Sequence, residues 1–569
     1  MRLPKNDFEN IKSKNPMERN QKILGITLAG FQVFDEPTFI PMERLTMLFG
    51  PNSAGKSSIQ DALELYQMAL KNQSSYEEIQ KLLKRHWRRS GSAENKLAGK
   101  MHISVTHLID DVSGILAAIF SSRDLKIPDK LWKEIGDTPL DFVSQFEFFP
   151  HPEGLKGDFD FIINYQLFQG DVLLVGEVEA GICVNIAHPL LIATPEPFAN
   201  AAKLFPAQVS LNNGMFTIKS GITEFQYSGA DFYKQREKWL DLDYFERYEK
   251  ESAWHGPELQ RISHETSLLV GALLSSFHME TNFASTKVDA SRKVPTRKDL
   301  TFELDGWDDQ IQQLEEYGDP QYYALAISLA SELFPEPRAF KELDVDTRRS
   351  YADQVNRILA DHLFLDQGYR LDYDYRVLLN KRNSKAAWTG KNLDRSKFGF
   401  IVEIFLRDSA GRKHAVEDVG SGIGYILPVL CSLFDTSKVS ENTYVRSPLG
   451  VRNFTGFIQQ PELHLHPALQ AALGDAFIES SGPVKQIFVE THSEHLLLRL
   501  LKRIRQTHLD VAIAPELRLH ADDLCVLYFD PSIDGTTKVK RLRITEDGEF
   551  MDRWPRGFFG ERDLELFDE

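Results

Sequence analysis

Cysteine is scarce: Cys183, Cys431 and Cys525 are the only three in 569 residues, far apart and without pairing or metal-ligand spacing. That argues against a disulfide framework and fits a reducing compartment, with the cytoplasm as the default. No apolar run is long enough to span a bilayer, so no membrane passage is expected. The opening MRLPKNDFENIKSKNPMERN is polar and lacks the apolar stretch of a secretion signal. Internal repeats, low-complexity tracts and sustained heptads are missing, which speaks against a solenoid or a long coiled-coil arm. Positive charge is in deficit: 66 Lys and Arg against 83 Asp and Glu give a formal charge of −17. A chain whose whole surface served nucleic acid would more often be basic, so such contact would come from local patches or from partner chains.

What is present is an ordinary globular composition, 42% apolar and 26% charged, in a chain long enough for about two to four folding units. Residues 1–70 read as strand, strand, loop, helix. Alternating apolar and polar residues over 101–230, as in Asp160 to Gln166 and Asp171 to Glu179, predict mainly antiparallel sheet with short helices. Helical patterns run over 231–280 and from about Asp308 to His362, the second broken at Pro335 and Pro337. Strands resume near 370–407, and from Val416 onward strands and helices alternate, which predicts an α/β class.

The sharpest local signal is the apolar run Leu45 to Phe49, then Gly50, Pro51, Asn52, Ser53, Ala54, Gly55, Lys56, Ser57 and Ser58. It satisfies GxxxxGK[ST] in full, and Ile59, Ala62, Leu63, Tyr66 and Leu70 follow at helical spacing. Glycines let backbone N–H groups wrap phosphate oxygens while the helix N-terminus points partial positive charge at them. Lys56 is then placed to reach the β- and γ-phosphates, and the Ser57 hydroxyl to hold Mg²⁺. Downstream, Val416 to Leu430 opens a Ser/Gly turn (Gly420, Ser421, Gly422, Gly424) onto an apolar helix, a second anion-binding helix start without a lysine. Two short strands follow. Phe454 to Gln460 runs into Pro461-Glu462-Leu463-His464-Leu465-His466-Pro467, and Gln486 to Glu490 runs into Thr491-His492-Ser493 and a helix from Glu494 to Arg505.

That order of elements resembles the soluble ABC ATPases of the SMC, RecF and OLD group, in particular a compact branch with PELHLHP and DVGxGxxxxLP segments. The strand-like Val288 to Pro295 and the ending Asp547 to Phe559 look like the same branch, whose neighbourhood includes the PtuA-type ATPases of Septu and retron-associated anti-phage systems. The resemblance is carried by 1–70 and 416–569. It implies an ABC ATPase head, a mixed sheet with the phosphate loop and an antiparallel β lobe, with helical insertions. The expected division is 1–70 as the N-terminal part with Walker A, 71–300 as the β-rich lobe, 301–365 as a helical insertion and 366–569 as the C-terminal part. The resemblance further implies ATP and Mg²⁺ as cofactors and a head-to-tail dimer, or a higher even oligomer, closing on two nucleotides. Gly50 to Ser57 would be Walker A, and Ser421 and Gly422 the signature reaching the nucleotide of the other subunit. Gln459 and Gln460 would stand at the Walker B positions, with Ser57 and Gln459 at the metal. His492 would be the switch histidine, and Leu465 to Gln470 the segment crossing the dimer interface. A Q-loop glutamine has no clear position; Gln166 and Gln169 are candidates.

The chain departs from the family at Walker B, where Gln459 and Gln460 replace two carboxylates. An amide carbonyl accepts hydrogen bonds or contacts a metal, but it takes no proton near neutral pH. Loss of a positioned base costs about 10²–10⁴ in rate. The expectation is therefore an ATP-held switch that hydrolyses slowly. Glu462 either supplies the missing carboxylate or orders the turn beside Pro461. His464 and His466 could suggest a metal pair, but no third ligand is near in sequence. Basic clusters at Lys81, Lys84, Arg85, Arg88 and Arg89, at Lys287, Arg292, Lys293, Arg297 and Lys298, and at Lys381, Arg382, Lys385 and Lys391 read as nucleic-acid contacts or as solvated faces. About 75 residues follow His492, fewer than a Toprim nuclease domain needs, and no HNH pattern is visible. Nuclease activity is thus expected in a partner. The resemblance implies a role in anti-phage defence with an HNH nuclease, or a reverse transcriptase with its RNA–DNA product. Two other readings stay open: a repair or chromosome-maintenance ATPase clamping DNA directly, and a scaffold held by unhydrolysed ATP.

Overall fold

The computed structural model describes residues 21–71, 76–86, 100–109, 112, 140–150, 161–178, 181–188, 190–191, 209–213, 215–219, 283–305, 320–330, 345–364, 368–378, 399–434, 453–482 and 485–555. Strands β1 (Gln21–Ala29), β2 (Thr38–Pro41) and β3 (Leu45–Phe49) lead into helices α1 (Ser58–Lys71) and α2 (Tyr76–His86). Next come β4 (Met101–Ile109), β5 (Leu140–Pro150), β6 (Phe161–Gln169), β7 (Val172–Val178), β8 (Gly181–Asn185), β9 (Val209–Asn212) and β10 (Met215–Lys219). Strands β11 (Phe283–Val288) and β12 (Thr301–Asp305) precede α3 (Pro320–Leu329) and α4 (Val345–Arg357), which continues as a π-helical turn over Ile358–Leu363. Strands β13 (Arg370–Leu378), β14 (Gly399–Arg407) and β15 (Lys413–His414) follow. The chain then alternates through α5 (Ser421–Phe434), β16 (Asn453–Gln459), α6 (Pro467–Ser480), β17 (Lys485–Glu490), α7 (Glu494–His508), β18 (Leu524–Pro531) and β19 (Thr537–Leu542).

These strands form three sheets. An antiparallel sheet of nine has the order β2-β1-β4-β5-β6-β7-β8-β10-β9. The central six-stranded sheet, β11-β16-β17-β3-β18-β19, is parallel from β11 to β18 and antiparallel only at its β19 edge. A smaller antiparallel sheet joins β12, β14 and β13, with β15 on β14. The architecture is the mixed α/β arrangement expected from the alternation of patterns. All five residues of β3 are buried because it is an inner strand of a parallel sheet covered on both faces. Its period of two splits it between two cores. Leu48 packs with α1 and the antiparallel sheet, while Leu45, Met47 and Phe49 pack with α5, α6 and α7. Ile59, Ala62, Leu63, Tyr66 and Leu70 of α1 all enter the first core, as their spacing predicts. Helix α5 is apolar nearly all round and lies inside the second core, with Ile426, Leu427, Val429, Leu430 and Cys431 fully buried.

Two stretches differ from the sequence reading: three strands, not two, precede the phosphate loop, and the second difference follows β11. The stretch Val288 to Pro295 is strand only at Val288; beyond it the chain turns, with the Arg292 N–H donating to the Asp289 carbonyl at 3.2 Å. Its alternation comes from a turn that sends Arg292 inward, not from pairing. The helical reading of 231–280 and the break at Pro335 and Pro337 lie outside the described residues. No helix among the described residues is long and apolar enough to cross a membrane.

The antiparallel sheet contains a pH liability. His107 on β4 and His188 are buried, and His107 Nδ1 and His188 Nε2 have no hydrogen-bond partner. Burial pushes His107 down to about 3 and His188 to about 4. Both rings are therefore neutral in the fold, while the unfolded chain takes up protons below about pH 6.5. Their contribution is complete above that pH and declines as pH falls toward the folded values. His107 alone should remove about 2 kcal/mol between pH 7 and pH 5. Chemical denaturation at the two pH values checks this; a difference that His107→Gln leaves unchanged would place the loss elsewhere.

Candidate functional site

The parallel strands β16, β17 and β3 end at one edge of the central sheet, and each runs there into a loop followed by a helix. This is the edge at which open α/β sheets collect ligand-binding loops. After β3 the loop Gly50 to Ser57 turns through three left-handed positions, Gly50 (φ 135°), Ser53 (φ 63°) and Gly55 (φ 88°). A side chain at Gly50 would come within 2.5 Å of the Phe529 carbonyl oxygen, and one at Gly55 within 2.2 Å of Val33 Cγ2, so both positions require glycine. Lys56 is buried and curls over its own loop, Nζ donating to the carbonyls of Gly50 at 2.9 Å and Pro51 at 2.8 Å. Burial lowers the pKa of its ammonium, against the pull of Glu490, whose Oε1 lies 3.6 Å from Nζ. Asn52, Ser53 and Ser57 are exposed and Ala54 is buried. Ser58 is buried too, its hydroxyl donating to Gln32 Oε1 at 2.5 Å. Gln32 sits in a left-handed turn (φ 51°) and its amide also reaches Asp61 and His86, tying α1 to α2. Sequence reasoning missed Gln32, which stands in no motif.

The neighbouring strands bring in the rest. In the sheet register Gln459 of β16 is the direct partner of Glu490 of β17, and Glu490 is the partner of Leu48 on β3. Glu490 accepts a hydrogen bond from the Ser57 hydroxyl at 3.1 Å. The Gln459 amide is committed elsewhere: Oε1 accepts from the Ala290 N–H and Nε2 donates to Gln60 Oε1, each at 3.4 Å. Thus the acidic group that the structure brings to Ser57 is Glu490, which the sequence reading passed over. Glu490 is the one acidic residue in β17, at its loop-side end, and only the order of the strands puts it beside Ser57. Gln460 is held in a left-handed conformation (φ 44°), its N–H donating to the Glu490 carbonyl at 2.7 Å. Such strain, on the order of 1–3 kcal/mol, persists where the surroundings over-determine a turn. Glu462 Oε1 accepts from the His492 backbone N–H at 2.7 Å, and Glu462 Oε2 is buried with no partner. Glu462 therefore ties the turn after β16 to the loop after β17. The exposed His492 imidazole is held below its ordinary pKa, first by partial burial of the ring and then by the Lys56 charge, while Glu462 and Glu490 pull upward.

Arg292 locks this edge from beneath. Its guanidinium donates to the carbonyls of Tyr425 (2.8 Å), Gln459 (3.0 Å), Gln460 (3.1 Å) and Pro461 (3.3 Å). The sequence placed Arg292 in a basic cluster open to nucleic acid; its donors are spent on backbone. Arg297 of the same cluster pairs with Glu403 at 2.9 Å. The Ser/Gly turn begins α5 at Ser421. Its glycines differ in kind. A side chain at Gly424 would meet Val294 Cγ1 at 2.4 Å, so that position is set by packing, whereas Gly422 faces Leu465 and the His464 carbonyl at 3.5 and 3.6 Å.

His464 has φ 63° and stacks on Tyr425, ring centres 4.3 Å apart, while the His466 ring caps α6 by accepting from the Ala468 N–H. The two histidines thus serve a turn and a helix cap. Among the described residues no group of three or more His, Cys, Asp or Glu could hold a metal by itself. Gln470 links the Leu465 carbonyl to the Ser493 hydroxyl at 2.9 and 2.6 Å, and Ser493 caps α7. Gln166 pairs with Gln145 within the antiparallel sheet. Arg88, Arg89 and the cluster from Lys381 to Lys391 lie outside the described residues.

Residues 348–497 match the family model described as AAA ATPase domain. The matched span holds the Ser/Gly turn, both glutamines, Glu490 and His492, and leaves out the phosphate loop. No curated protein matches the chain. Among solved structures the chain is similar to the Smc head domain of Pyrococcus furiosus, with an extended coiled coil and bound to the C-terminal domain of ScpA, at 13% identity over 92% of this chain and 96% of that one, with a TM-score of 0.35. It is also similar to the SMC head domain from Thermotoga maritima, at 10% identity over 92% and 100%, with a TM-score of 0.33.

Proposed function

We propose that this protein is an ATP-binding ABC-type ATPase that closes as a head-to-tail pair around two nucleotides. The observation that carries the reading is the loop of Gly50 to Ser57 at the edge where Gln459 and Glu490 end their strands, with His492 in the loop just after Glu490. The residues suit a magnesium triphosphate. Left-handed Gly50 and Gly55 let the loop backbone turn tightly, Lys56 supplies positive charge, and Ser57 and Glu490 are hard oxygen donors of the kind Mg²⁺ takes. When bound, ATP supplies the γ-phosphoryl group that passes to water. Lys56 exchanges two loop carbonyls for phosphate oxygens, the α1 N-terminus adds its dipole, and His492, neutral near pH 7, presents a ring nitrogen at the same edge.

In this reading Ser421 and Gly422 cover the nucleotide of the partner copy, and the Leu465 to Gln470 segment lies at the pair's interface. The two amides at Gln459 and Gln460 make turnover slow, so the closed pair acts as a switch. The resemblance of the PELHLHP and DVGSGIG segments supports a further step: the switch controls a partner nuclease in anti-phage defence. Neighbouring genes test that step, because the absence of both an HNH and a reverse-transcriptase frame would remove it.

Nucleotide binding is tested directly by Lys56→Met. Charge-assisted hydrogen bonds contribute about 1.5–3 kcal/mol each, so ATP affinity should fall by about 100-fold with the fold retained. Fluorescent-ATP titration beside a melting curve reads both. Unchanged affinity in a folded variant would sink the site.

A further inference from the structure

Gln459 and Glu490 are direct partners on adjacent parallel strands, so their side chains leave the same face of the sheet, about 4.8 Å apart at Cα. That face lies under α1. Gln459 is occupied there by Gln60 and the Ala290 N–H, and only Glu490 reaches the phosphate loop, at Ser57 Oγ (3.1 Å) and Lys56 Nζ (3.6 Å). A carboxylate beside this serine has two possible uses: it neutralises the buried lysine, or it holds a divalent cation at the serine oxygen. The first accounts for the lysine contact alone. The Ser57 contact, made by the other oxygen of the same carboxylate, points to the second. With two neutral amides at the ends of β16, Glu490 is the negative charge nearest to Ser57 in the described contacts.

We infer that the metal-binding carboxylate of this site has moved one strand over, from the end of β16 to Glu490 at the end of β17, where it holds the Mg²⁺ of the nucleotide together with Ser57. The inference rests on the nucleotide site proposed above. Glu490 keeps one oxygen on the serine and offers the other to the metal once Lys56 turns to phosphate. The strained turn at Gln460 supports this placement, because its N–H is spent on the Glu490 carbonyl and fixes the backbone that carries the carboxylate.

The test compares ATP affinity with Mg²⁺ and with EDTA in the full chain, and Mn²⁺ binding by electron paramagnetic resonance in the presence of ATP. In the parent, Mg²⁺ should strengthen binding. Glu490→Gln, which keeps an acceptor for Ser57, should lose about tenfold of that gain and weaken Mn²⁺ binding similarly. Its metal-free affinity should stay equal or rise, because Lys56 loses a competitor. The double variant Gln459→Glu with Glu490→Gln, which returns the charge to β16, should recover part of the metal response. If Glu490→Gln strengthens ATP binding equally with and without metal, the carboxylate only neutralises Lys56 and the inference fails while the nucleotide site stands. If the parent binds no ATP in either buffer, the nucleotide site itself fails and takes the inference with it.

Discussion

Arg292→Ala should cost roughly 3–5 kcal/mol of stability, because it leaves several part-buried carbonyls without their donors. Tyr425, Gln459, Gln460 and Pro461 contribute those carbonyls, and they come from different elements: α5, the end of β16 and the turn after it. The four acceptors are shared among three nitrogens of one guanidinium, Nε, Nη1 and Nη2. Arg292→Lys should recover little, as one ammonium cannot span them. Burial depresses the pKa of this arginine, with Glu462 pulling the other way, which makes it a desolvated cation held by backbone dipoles. Denaturant titration of both variants checks the claim. A loss below about 1 kcal/mol would mean that packing at Gly424 and Val294 alone holds α5 to the strand ends.

That same residue marks what the sequence concealed. The phosphate loop was legible because its chemistry is local: strand, glycines, lysine, hydroxyl and helix occur in one uninterrupted string. The alternation of strands and helices after Val416 was legible for a similar reason, since burial on both faces leaves short apolar runs between turns. Arg292 and Glu490 were not legible, because their meaning depends on pairing between distant segments. Arg292 belongs to a string that mimics a strand and a basic patch together. Glu490 matters because β17 lies between β16 and β3, and that order arises from crossovers through helices which no local pattern encodes. Gln32 is a third case. A left-handed turn near the start of the chain folds it onto Ser58, a hydroxyl that the motif would otherwise leave for the ligand.

Asp475→Ala should be of comparable severity, about 3–5 kcal/mol, because it breaks a buried charged group away from both its partners. Asp475 on α6 is 3% exposed and accepts from Arg499 at 2.6 Å and from Arg503 at 2.8 Å through both of its oxygens, on successive turns of α7. The hydrogen bond to Asp475, helped by its charge, raises the pKa of Arg503; without Asp475 the guanidinium loses that support but stays charged, because arginine does not deprotonate near neutral pH. Asp475→Asn keeps the shape and one acceptor, and should lose about half as much. The consequence reaches the site because α6 begins just after the Pro461 to His466 turn and α7 begins just after His492. Loosening the two helices should therefore weaken the bond from the His492 N–H to Glu462 and speed hydrogen exchange at that amide, while β3 and α1 stay protected. Uniform exchange across the central sheet would instead show that α6 and α7 are not a separable unit. A variant as stable as the parent would show that Leu473, Ala476 and Phe477 against Leu496 and Leu500 hold the helices together without the charges.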